Sequence, residues 1–83
     1  MDFTQFVPVD VQRQALEADR QRFIAEGYDN QRARDRVIAI DPVAFADQIA
    51  QFEANMTVMA QASTAVDNQI AALTQPQQPT NKG

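Results

Sequence analysis

The 83-residue sequence has no cysteine, no histidine and no tryptophan. Without cysteine it offers neither a disulfide nor a thiolate metal site. Without histidine a metal site would rest on carboxylates alone. The acids are strewn along the chain, and no Asp-x-Asp-x-Asp-Gly loop occurs. Glycine is scarce too, with two residues, so there is no glycine-rich phosphate loop and no Gly-x-Gly-x-x-Gly. Ser63 is the only serine and lacks a Gly-x-Ser-x-Gly setting. These absences remove the common routes to nucleophilic, metal and nucleotide chemistry. The expectation is a non-enzyme with no catalytic residue, no cofactor and no metal.

Positive charge is also in short supply. Seven basic residues stand against eleven acidic ones, giving a net charge of −4 and a pI near 4.4. That balance argues against general binding to nucleic acid or to anionic membranes. Arg32, Arg34 and Arg36 are the one basic cluster, and Asp29 and Asp35 dilute it. No run approaches the roughly 18 consecutive apolar residues of a membrane span. The opening Met-Asp-Phe has no basic region, so no secretory signal is expected.

What the chain does have is a long apolar period. Phe45, Ile49, Phe52, Met56, Met59, Ser63, Val66, Ile70 and Leu73 follow one another at alternating steps of four and three. All but Ser63 are large and apolar. That is a heptad seam, which fits a helix packed lengthwise on other helices and not a strand. Ser63 sits where its hydroxyl can bond a backbone carbonyl of the preceding turn. Met56 and Met59 read as adaptable packing residues.

Upstream, residues 1–10 form an apolar arm. Phe3, Phe6, Val7 and Val9 cluster around Pro8, which lacks an amide hydrogen and disfavours helix at Val7. The arm is expected to be extended, either folded back over its own helices or reaching a neighbouring subunit. Asp10 is a candidate N-cap. A first helix is expected over about 11–39, with Leu16, Phe23, Ile24, Tyr28, Val37 and Ile38 as its apolar face. Gly27 lies in its middle, where glycine costs about 1 kcal/mol against alanine, so an interruption near 27–30 is expected as an option.

Ile40, Asp41 and Pro42 specify a turn. Asp41 suits an N-cap, Pro42 the first helical position, and Ile40 with Phe45 a hydrophobic staple. Such a short connection favours antiparallel neighbours. The second helix is expected from 42 to about 75, ended by Pro76 and Pro79, with a polar tail over 76–83. The fold class is therefore all-α: a two-helix antiparallel hairpin with an extended apolar arm and a polar tail.

Charge is divided between the helices. Residues 10–36 carry six acids and six bases, many at the three- or four-residue spacings of surface pairs, such as Glu17–Arg20 and Asp19–Arg22. Residues 41–75 carry no base. Ala50, Ala54, Val58, Ala65 and Ala72 form a second, small-residue stripe there, which suggests contact beyond the hairpin partner.

Two family resemblances bear on use. Phe52-Glu53-Ala54-Asn55 followed by Val58 resembles the Tyr-Glu-Ala-Asn-x-x-Val stretch in the C-terminal helix of flagellar rod and hook proteins; the N-terminal signature of that family is missing. The chain length and the turn at Pro42 are similar to those of needle subunits of type III secretion systems, which usually carry a Pro-x-x-Pro turn. Both resemblances imply a repeated subunit packed through helices of low charge. The expected role is a structural or accessory subunit of a larger assembly, with a phage virion component first and a secretion or rod filament second. Its partners would be copies of itself or a larger structural protein, and its place a virion or other extracellular assembly, made in a cytoplasm. The reading from another class is a small acidic chaperone or regulatory binder.

Overall fold

In a computed structural model, residues 2–74 are described. They form an all-α helical hairpin: α1 spans Val9–Ile40 and α2 spans Ala46–Thr74. The expected tail over 76–83 lies outside the described residues. The hairpin is 61 Å long and 25 × 21 Å in section, as two helices of roughly 45–50 Å with an arm at one end require at 1.5 Å per residue.

α1 begins one residue after Pro8, which is its N-cap residue. Asp10 is therefore not the cap. It lies in the first turn, where its carboxylate suits the positive end of the helix dipole, and it pairs with Arg13 at 3.0 Å. Val11 and Gln12 donate their amides to the Pro8 carbonyl, both at 3.0 Å. Pro8 thus supplies the first acceptor of the helix and needs no amide of its own.

The helix runs through Gly27 without a break. The option of an interruption at 27–30 is overturned, because Gly27 packs against α2 and that contact outweighs the weak local propensity of Gly27, Tyr28, Asp29 and Asn30. A Cβ added at Gly27 would lie 3.4 Å from the Met59 Cβ. Asn30, the other suspected breaker, turns its side-chain amide back to the Glu26 carbonyl at 2.8 Å.

The turn works through Asp41. Its Oδ1 accepts the amides of Val43 at 3.1 Å and Ala44 at 3.0 Å, satisfying donors that a helix start leaves without partners. Residues 42–45 form a tight turn before the regular helix, so α2 starts at Ala46 and not at Pro42. Ile40 stays well exposed, so the staple expected with Phe45 buries little.

The arm is not extended. Residues Thr4–Phe6 make a 3-10 turn, closed by the Phe6 amide on the Phe3 carbonyl at 2.9 Å. Asp2 Oδ1 accepts both the Thr4 amide at 2.9 Å and the Thr4 hydroxyl at 2.7 Å. The Gln12 side-chain amide, on the first turns of α1, then donates to the carbonyls of Thr4 at 3.0 Å and Val7 at 2.8 Å. Pro8 blocks helix only at its own neighbourhood. Upstream of it, short polar side chains offer the backbone local partners, and the arm folds on them.

Candidate interaction surface

The face turned towards α1 carries Phe45, at the end of the turn, and Ile49, Phe52, Met56, Met59, Ser63, Val66, Ile70 and Leu73 of α2. Val66 is buried at 6% exposure and the other eight are half-buried. Ser63 donates its hydroxyl to the Ala60 carbonyl at 3.0 Å.

The facing side of α1 is different in kind. Its half-buried positions include Leu16, Arg20, Phe23, Gly27, Asn30, Arg34 and Val37. These also alternate by four and three, but Arg20, Gly27, Asn30 and Arg34 are charged, polar or empty. Of the six apolar residues expected on this face, Leu16, Phe23 and Val37 take part, while Ile24, Tyr28 and Ile38 are exposed. The sevenfold spacing of Leu16, Phe23, Asn30 and Val37 was the available signal. Two arginines and a glycine in the intervening places masked it from a search for apolar residues.

Among the described residues, Arg20, Arg34 and Asn55 make polar contacts across the hairpin. Arg20 Nε lies 2.5 Å from Asp67 Oδ1, Arg34 Nη1 lies 3.6 Å from Glu53 Oε2, and Asn55 bonds Asn30. The Glu17–Arg20 pair anticipated along α1 is replaced by Arg20 reaching α2. Asp19 and Arg22 do pair along α1. The basic cluster is split in the same way. Arg34 serves the hairpin, while Arg32 lies over the Tyr28 ring at 5.9 Å and near Asp29.

Two recesses flank this seam. One, of about 240 Å³, sits beside Gly27 among Phe23, Met56, Met59 and Ala60. The larger, of about 550 Å³, lies at the open end of the hairpin. The arm forms one wall of it through Phe3 and Val7. Val11, Ala15 and Leu16 of α1 and Leu73 of α2 form the others. Phe3 and Phe6 meet edge to face with centroids 5.9 Å apart, yet they are 61% and 67% exposed. At the turn end Val43 is 84% exposed, and on the outer side of α2 Val58 is 52% exposed.

Among the described residues, no three His, Cys, Asp or Glu side chains are grouped to hold a metal ion, and no helix is long and apolar enough to cross a membrane. No protein-family model, no curated protein and no solved structure matches the chain.

Proposed function

We propose that the chain is a non-enzymatic structural or accessory subunit that packs into a larger protein assembly, such as a phage particle or a filament, by its exposed apolar side chains. One observation carries the reading: among the described residues, Val66 is the one large apolar side chain that the hairpin buries. A domain of this size needs an idealised core, a staple or a partner chain. The hairpin has no disulfide, and its α1 seam is interrupted by two arginines, an asparagine and a glycine. Partner chains are the remaining source of burial.

The test combines circular dichroism with analytical ultracentrifugation across a wide dilution series. Helix content should rise together with assembled mass. A fully helical monomer at every concentration would remove the basis of the reading. A discrete dimer that takes up a stoichiometric client, without further growth, would favour the chaperone reading instead.

A further inference from the structure

We infer that the groove at the open end of the hairpin receives Phe6 from a second copy of the chain, and that the exchange is reciprocal. The inference rests on the assembly reading above and specifies one of its contacts.

The arm is held by polar bonds, with Phe3 and Val7 lying along the apolar groove. Asp2 holds Thr4, and Gln12 holds the carbonyls of Thr4 and Val7. None of these bonds buries apolar surface. Their effect is to fix a chain end in one shape while Phe6 stays 67% exposed. Fixing a segment in advance reduces the ordering cost of binding. Beneath the same arm lies an apolar groove of about 550 Å³, walled by Phe3, Val7, Val11, Leu16 and Leu73, and Phe6 is not part of its wall. Each copy therefore carries a projecting aromatic ring and an apolar recess at the same end. A surface that bears both is self-complementary under a twofold axis.

Charge favours a second copy over a foreign partner. Beyond Asp67, α2 has no charged residue as far as Thr74. The arm and the first turns of α1 contribute Asp2, Asp10, Arg13 and, beside Leu16, Glu17. Asp10 and Arg13 are paired, and Asp2 is tied to Thr4. Two such ends can meet without facing large like charges, and they offer little charge by which to select a different protein.

Area sets the strength. The 25 × 21 Å cross-section limits an end-to-end contact to about 500 Å² per copy, below the roughly 800 Å² per partner of a standard stable interface. The pair is a weak, concentration-dependent contact of the kind that gains from repetition in an assembly.

The experiment is sedimentation equilibrium on the full chain and four variants. Phe6→Ala removes the ring, and it is safe for the fold because Phe6 is outside the hairpin seam. Ala15→Phe fills the groove, with Ala72→Phe on the opposite wall as a second groove-filling variant. Each should weaken self-association by at least about tenfold, as loss of an aromatic anchor does, with helix content unchanged when compared at equal assembled mass. Mixing Phe6→Ala with Ala15→Phe should form heterodimers more strongly than either variant pairs with itself, because one intact ring then meets one intact groove. If the parent chain associates and these variants associate equally well, the contact is elsewhere: this inference falls and the assembly reading stands. If the parent chain does not associate at all, both fall. The fourth variant lacks residues 75–83 and should pair normally. If its pairing is lost as fully as that of Phe6→Ala, the C-terminal segment is the occupant and the reciprocal arm exchange is overturned.

Discussion

Asn55 donates its side-chain amide to the Asn30 side-chain carbonyl at 3.2 Å, joining the two helices in the half of the hairpin nearer the turn. Seen from this bond, the hairpin has an ordered polar register. Arg20 and Arg34 lie fourteen residues apart on α1, and their partners Asp67 and Glu53 lie fourteen apart on α2. Sliding one helix by a heptad would leave both arginines facing residues other than these acids and would separate the asparagines. Polar groups in a helix seam specify register at a cost in stability.

Asn30→Leu together with Asn55→Leu should therefore raise the thermal midpoint while loosening register. Cysteines introduced at Gly27 and Met59 would report it, since a Cβ at Gly27 lies 3.4 Å from the Met59 Cβ and the parent chain has no cysteine of its own. Cross-linking confined to one pair in the asparagine background should spread to cysteines placed a heptad away in the leucine background. Unchanged cross-linking would assign register to the turn alone.

The two cross-helix ion pairs should contribute little by themselves. Asp67, Glu53 and the two arginines are all partly open to solvent. Asp67→Asn and Glu53→Gln should each cost about 0.2–1 kcal/mol, and less at high salt. Urea titrations at low and high ionic strength check this. A loss above about 3 kcal/mol from either change would place that pair in a dry interior and argue for a further chain covering it.

Gly27 gives a prediction of the opposite sign. A Cβ there would meet Met59 at 3.4 Å, an ordinary contact, with the small recess beside it. Gly27→Ala should stabilise the hairpin by up to about 1 kcal/mol through helix propensity. A fall in the thermal midpoint would mean that the helices need a closer approach than alanine permits.

Most of the hairpin is legible in the sequence because two strong local signals agree. The Phe45–Leu73 period is unbroken, and Asp41-Pro42 is a turn with its own capping chemistry. α1 is harder to read because its contacts with α2 are chemically mixed. A residue such as Arg20 looks like a surface charge until Asp67, forty-seven positions later, is brought beside it. Ile24 and Ile38 look like core for the same reason: side-chain type is local information, whereas facing direction depends on the partner helix. The arm is misjudged from Pro8. Proline excludes helix around itself, but it says nothing about Asp2 capping Thr4 or Gln12 reaching back from the next element.

Val66 and Val58 separate the hairpin from its assembly. Val66 is buried within the chain and Val58 is half-exposed on the outer side of α2. Val66→Ala should cost about 2 kcal/mol at any concentration, from the lost methyl burial and the space left behind. Val58→Ala should cost almost nothing in the dilute chain. If Val58→Ala lowers the midpoint only at concentrations where mass has grown, the outer face of α2 is buried between subunits. If it is neutral throughout, assembly does not use that face.

Asp2 makes the arm sensitive to acid. The Thr4 amide bond first, and the Thr4 hydroxyl bond second, hold its carboxyl below the ordinary aspartate range. A depressed carboxylate pKa stabilises the folded arm at pH values above the unfolded pKa of about 3.9, and that contribution is lost as pH falls through the lower, folded value. The arm should keep its turn at neutral pH and release it only in acid. NMR would follow this through the Thr4 amide shift, whose midpoint should lie below that of a free aspartate. Thr4→Ala keeps the amide donor and loses the hydroxyl, so its midpoint should move part of the way back. Asp2→Asn should remove the transition. A midpoint at the ordinary aspartate value in the parent chain would show that the arm is not held by Asp2, and the fixed presentation of Phe6 would rest on Gln12 alone.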